Sequence, residues 1–376
     1  MVRRASMIPS PKDRLRTLLT ELMLIPGLSG HEGRVRQHLA SALGDLGIES
    51  RTDRLGNLIS TLAGSKGAPG VMLFAHMDQL GFVVRKIEPS GLVRVERLGG
   101  VPEKALPSQA VLFSVGQGRD LPGIIANKSH HATTQEEKYR VLPYAELYVD
   151  AGFDSADEIC AAGIDIGTPI VYQPRVLALA GDRIAGTSID DRAGCAVLVE
   201  VARALKSMSK RPTVHLVFSV QEEFNLRGAL PAAQTLLPDI AIQVDLLLAT
   251  DTLDMTARGD VRLGGGPAMS MYSFHGRGTL NGTIPHPALV DLFQATAKAE
   301  GMPLQRSAHI GALTDLSYVQ LVGEGVASID VGFPLRYSHS SLEVCDLGDL
   351  EALTRLLVES IGRIDQRFSL DRDDFI

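Results

Sequence analysis

The sequence predicts an α/β fold built on a largely parallel sheet and interrupted by an all-β insertion at roughly residues 86–174. Along the C-terminal half, helical segments alternate with apolar strand-like runs, the pattern of βαβ units. Through the insertion no long helical period is sustained, and short apolar runs are punctuated by Gly and Pro. At 376 residues the chain exceeds what one ordinary core supports, which fits two structural units.

Residues 11–50 are helical in pattern before turning strand-like. In "PGLSGHEGRVRQHLASALGDLG", Ser29 and Glu32 have the spacing of a capping box, Leu39, Leu43 and Leu46 are helically spaced, and Gly47 ends the segment. From Gly56 the strands "NLISTL", "GVMLFAHMD", "GFVVRKIE" and "GLVRVERL" follow. The β-rich stretch continues through "AVLFSV", "LPGIIA", "AELYVDAG" and "GTPIVYQPRVLALAGDRIAG", with one short helical stretch near residues 156–162. Then come the helix "RAGCAVLVEVARALKSM", the strand "TVHLVFSV", the helix "RGALPAAQTLL" and the strand "IAIQVDLLLAT". The helix "HPALVDLFQATAKAEG", the strand "GVASIDVG" and the helix "DLEALTRLLVESIGRI" complete the chain.

Composition removes several function classes. The chain is 45% hydrophobic and 22% charged, ordinary for a globular protein. A net charge of -7 without a Lys/Arg cluster argues against a nucleic-acid partner. No apolar run approaches the ~20 residues of a membrane span. The N-terminus carries Arg3 and Arg4 but no apolar h-region, so no secretory signal is expected. Cys160, Cys195 and Cys345 are widely spaced, which predicts free thiols, a reducing compartment and a cytoplasmic location.

Polar residues collect where the inferred strands end, the edge at which α/β folds bind ligands. His76 and Asp78 end "VMLFAHMD", and Asp190 and Asp191 precede a helix. Glu222 and Glu223 follow "VHLVFSVQ", Asp245 and Asp251 lie in "IAIQVDLLLATD", and His339 follows "DVGFPLRYS". Alone, each has a plainer reading: Asp190 as a helix N-cap, His339 as a surface histidine, Asp245 as a hydrogen-bonded buried acid. Together they predict a cluster of His and carboxylate ligands suited to Zn, Co or Mn. One bridging carboxylate would let the set hold two ions. Of the adjacent glutamates, one can bind metal while the other moves a proton. His215 is read as a sheet residue, and His130 and His131 as a solvated loop.

The motifs "AHMDQLGF", "IDDRAG", "QEEFNLRGA", "IQVDLLLATD" and "RYSHSSLEV" resemble those of the glutamyl aminopeptidase family of di-metal peptidases, which includes the self-compartmentalising TET enzymes. The resemblance runs from about residue 14 to 362 and takes in the insertion. It implies a three-layer catalytic domain, residues 1–85 and 175–376, and a barrel-like dimerisation domain, residues 86–174. It also implies two divalent ions per subunit, zinc first with cobalt or manganese as alternatives. His76, Asp190 and Asp245 would hold one ion, and Asp190, Glu223 and His339 the other. Glu222 would be the general base and Asp78 would orient His76. The implied activity is hydrolysis of the N-terminal residue from peptides by a homo-oligomer of dimers, up to a dodecamer, with no nucleic-acid or membrane partner. A related carboxypeptidase or N-acyl amino-acid deacylase is the alternative, and a non-catalytic scaffold the third reading. The chain departs from the family pattern at Gln79, at Asn225 and in the 309–318 loop.

Overall fold

The structure, a computed structural model, describes residues 9–275 and 282–375. The N-terminal arginines Arg3 and Arg4 lie outside the described residues.

Four parallel strands form the centre of a ten-stranded sheet among the described residues, in the order Val214–Ser219, Val71–His76, Ile240–Gln243 and Ala327–Leu335. Their near-continuous apolar sequences follow from burial on both faces. On one face pack the helices Pro11–Met23, Gly33–Asp45, Ile189–Ser207, Pro287–Ala299 and Leu347–Ile361, over a core that includes Leu19, Leu39, Leu73, Val197, Leu216 and Leu353. On the other face the helices Ala229–Leu236 and Leu316–Val319 cover Met72, Phe74 and Val217. Alternate side chains of one strand, Leu73 and Phe74, thus serve opposite cores, which makes three layers.

The insertion, together with the residues from Gly81 that lead into it, forms a closed antiparallel barrel of six strands: Gly81–Ile87, Val93–Leu98, Tyr148–Asp150, Asp120–Ile125, Ala110–Ser114 and Pro169–Tyr172, in that spatial order. Its separate core holds Phe82, Val95, Phe113, Val149 and Ile170. The short helical stretch is Ala156–Ala161, capped by the Ser155 hydroxyl on the Glu158 N–H.

Two local expectations need correction. Ser29 and Glu32 form no capping box: the helix starts at Gly33 without a side-chain cap. The Ser29 hydroxyl donates instead to Asp78 (2.6 Å), and Glu32 accepts the N–H groups of Gly30 (2.6 Å) and Gln221 (3.2 Å). Tertiary carboxylate and backbone partners outcompete the local cap. The run "IAIQVDLLLAT" is not one strand either. It breaks into Ile240–Gln243 and Leu246–Leu248, and Asp245 stands at the break.

Candidate active site

Two of the central strands, Val71–His76 and Val214–Ser219, end together. His76 pairs in register with Ser219 at the last position of the Val71–His76 strand, and the turn after Ser219 delivers Glu222 and Glu223. That turn is tight: Gln221, Asn225 and Leu226 have left-handed φ values of 56°, 66° and 56°. Asn at 225 fits this conformation, which accounts for one of the sequence departures. Asp190 and Asp191, joined by a cis peptide, are non-helical residues at the start of the long Ile189–Ser207 helix.

His76, Asp190, Glu222, Glu223, Asp245 and His339 line one cleft of about 850 Å³. Their donor atoms fall into two groups, His76 with Asp191 and Asp245, and Asp190 with Glu223 and His339, each group within 4.8 Å. Asp190 spans the groups: Oδ1 lies 3.0 Å from His76 Nε2 and Oδ2 lies 3.5 Å from His339 Nε2. Asp191 enters the first group by proximity, yet its oxygens already accept the main-chain N–H groups of His76 (3.2 Å) and Gly194 (3.0 Å). It therefore fixes the loop more than it offers a ligand atom.

Both histidines are oriented alike. His76 Nδ1 lies 3.1 Å from the Asp78 carbonyl oxygen, with the Asp78 carboxylate at 3.5 Å, and His339 Nδ1 lies 2.7 Å from the Gly100 carbonyl. With Nδ1–H donated, each neutral ring presents a bare Nε2 to the cluster. Gly100, in the segment after the barrel strand Val93–Leu98, admits this approach: a Cβ there would sit 3.1 Å from His339 Nδ1.

Several supporting groups were invisible as such in the sequence. The Asp78 carboxylate accepts the main-chain N–H groups of Glu222 (3.0 Å) and Glu223 (3.1 Å). Glu343 accepts the N–H groups of Asp190 (3.0 Å) and His339 (2.8 Å), so one carboxylate aligns two site residues; its place in "RYSHSSLEV" was the available signal. Buried Gln243 donates its amide to Asp245 Oδ2 (3.1 Å) and accepts the Leu316 N–H (2.7 Å). Asp315 accepts the Ser219 hydroxyl (3.0 Å), and Asp330 accepts the Thr314 hydroxyl (2.8 Å), pinning the cleft wall to neighbouring strands. Asp251 lies outside the cluster and pairs with Arg336 at 2.6 Å. His130 and His131 are exposed, and His215 contacts Thr61 on the sheet. Buried Cys195 donates to the His76 carbonyl (3.1 Å) and packs in the core.

Charge is unbalanced here. Among the described residues no Lys or Arg ion pair reaches Asp190, Glu222, Glu223 or Asp245; the two histidines are the ionic partners of Asp190 and Glu223. Burial, then neighbouring carboxylates, raises the pKa of Glu222 and Asp245 well above the usual range, and burial lifts Glu223 to about 7. Glu223 in turn holds His339 up at about 9. Burial opposes a charge on His76, but bonding to Asp190 and Asp78 raises its pKa well above normal. Unpaired buried carboxylates are costly. A nest of them around two imidazoles whose Nε2 atoms point into the cluster fits divalent cations in both chemistry and number.

Comparisons with known proteins identify the family. Residues 56–356 match the M42 glutamyl aminopeptidase family. The lysyl aminopeptidase of Pyrococcus furiosus is 30% identical over 355 residues, 93% of this chain and 98% of that protein. The aminopeptidase APDkam598 of Desulfurococcus kamchatkensis superimposes with a TM-score of 0.88 at 31% identity, covering 96% of this chain and 97% of that one. The TET1 peptidase of Pyrococcus horikoshii, which can assemble into a tetrahedron or a large octahedral shell, gives a TM-score of 0.82 at 26% identity over 92% of this chain and 99% of that one. The chain therefore belongs to the M42 glutamyl aminopeptidase family and is a peptide-bond hydrolase.

Proposed function

We propose that the chain is a di-metal aminopeptidase that removes the N-terminal residue of peptides, with Glu222 as general base. The observation that carries this reading is that Glu222 lines the cleft yet belongs to neither donor group. His76, Asp190 and Asp245 would hold one cation, and Asp190, Glu223 and His339 the other, with Asp190 shared. When bound, two divalent ions, zinc first with cobalt or manganese as alternatives, supply Lewis acidity at the scissile carbonyl and lower the pKa of the attacking water. The rest of the work belongs to the chain. Glu222 takes the proton of the attacking water and returns it to the leaving amine. Asp78 and Glu343 fix the backbone of these residues before substrate arrives, so orientation is not lost to disorder on binding.

The catalytic unit would be residues 1–85 and 175–376, with the barrel insertion, residues 86–174, as the dimerisation unit. Exposed Ile124, Tyr139, Val141 and Ile166 on the insertion support this role. Dimers would build a closed homo-oligomer, with a dodecamer as the form to test; the shell described for the Pyrococcus horikoshii relative supports it. Substrates are peptides rather than nucleic acids or membranes. Three unpaired cysteines, two of them buried, suit the cytoplasm.

Glu222→Gln tests the reading. The variant is expected to keep its full metal content by elemental analysis while kcat falls by a factor of roughly 10²–10⁴. Activity within a few-fold of wild type would remove Glu222 from the base role.

A further inference from the structure

The family description and one relative's name point to acidic or basic N-terminal residues, glutamyl and lysyl. Among the described residues the cleft offers a charged partner suited to neither beyond the proposed metal ligands and base. Beyond the proposed ligands and base, its lining carries no Lys, Arg, Asp or Glu among the described residues, and His275 is the one further ionisable side chain apart from Tyr318. Four leucines dominate instead: Leu226, Leu246, Leu248 and Leu313, all partly exposed and all lining the cleft. Their positions are structurally set. Leu246 and Leu248 are two apart on the short strand that follows Asp245, so they share one face. Leu247 faces the other way, packed with Val261 and Ala268. Leu226 is held in a left-handed conformation by the glutamate turn, with its N–H donated to the Glu222 carbonyl (2.8 Å). Leu313 lies on the wall pinned through Thr314 and Asp330.

We infer that the enzyme selects an uncharged, apolar N-terminal side chain of leucine size over lysine or glutamate, with Leu246 and Leu248 forming the wall that receives it. This rests on the aminopeptidase reading of the same cleft. The physical reason is asymmetric. An apolar side chain on this wall gains burial. An ammonium or a carboxylate would lose water against these apolar side chains.

The test uses metal-loaded protein and the hydroxamates of leucine, lysine and glutamic acid as binding probes, read by calorimetry. Turnover of the matching aminoacyl-anilides is measured in parallel. Leucine hydroxamate is expected to bind at least about tenfold more tightly than the other two, and turnover should follow the same order. Lysine or glutamate binding as well as leucine would overturn the inference. Selective leucine binding without turnover of any anilide would uphold it while sinking the aminopeptidase reading. In Leu248→Asp, checked for folding by its melting curve, the lysine-to-leucine binding ratio is expected to rise at least about tenfold. An unchanged ratio in the folded variant would remove this wall from specificity.

Discussion

Asp78 Oδ1 lies 3.0 Å from the main-chain nitrogen of Glu222, and its other oxygen lies 3.1 Å from that of Glu223. One buried carboxylate thereby holds the proposed base and a proposed ligand in a fixed relation. It is itself anchored by the Ser29 hydroxyl at 2.6 Å. Asp78→Ala should fold but lose roughly 10–100-fold in kcat, with a smaller effect on KM. Asp78→Asn should recover only part, because its amide NH₂ would face donors. Steady-state kinetics alongside metal analysis checks both variants; unchanged kcat in Asp78→Ala would show that the glutamate turn stands without it.

Gln243 links Asp245 to the cleft wall at Leu316. Gln243→Ala is expected to weaken binding of one of the two cations by roughly tenfold and leave the other unaffected. Calorimetric titration of the metal-free protein separates the two events. Equal weakening of both would point to general loosening of the fold.

Metal binding should release protons. His339, held at about 9 by Glu223, is largely protonated in the metal-free protein near neutral pH, and Glu223, lifted to about 7 by burial, is partly so. Both must deprotonate to act as ligands, so affinity should climb between about pH 6 and about pH 9. Stability of the metal-free fold runs the other way. A folded pKa raised above the unfolded value stabilises at low pH, and that contribution is lost as pH passes about 7 for Glu223 and about 9 for His339. Titrations in buffers of different ionisation enthalpy count the protons; none released would contradict the assignment of both residues.

Arg192 is fully buried, and among the described residues its guanidinium bonds only the Leu22 carbonyl (3.2 Å) and the Gln79 side-chain oxygen (3.4 Å), with Nε unsatisfied. Burial lowers its pKa to about 10. Gln79→Glu would give this charge an anionic partner while keeping the acceptor for the Gly27 N–H. An ion pair in place of a bond from the guanidinium to a neutral oxygen should add about 1 kcal/mol, a rise of roughly 1–2 °C in Tm. A lower Tm would mean that burying the second charge costs more than the pair returns.

The gathering of the proposed site residues was legible in the sequence because they sit near strand ends, where chain position and spatial position coincide. His76, Glu222 and Asp245 show this most plainly. The supporting bonds were not legible, since Asp78–Glu222 and Glu343–Asp190 join residues 144 and 153 positions apart. The Ser29/Glu32 pair shows the opposite failure. Its spacing satisfied a local rule, but the side chains found stronger partners in Asp78 and the Gln221 backbone. The break at Asp245 was hidden because apolar residues on both sides read as one strand.

The most direct test compares aminoacyl-anilides with their N-acetylated counterparts on protein stripped by a chelator and then restored with Zn, Co or Mn. The account predicts metal-dependent release from the free-amine substrates alone. Release from the acetylated substrates instead would contradict it and make the chain a deacylase.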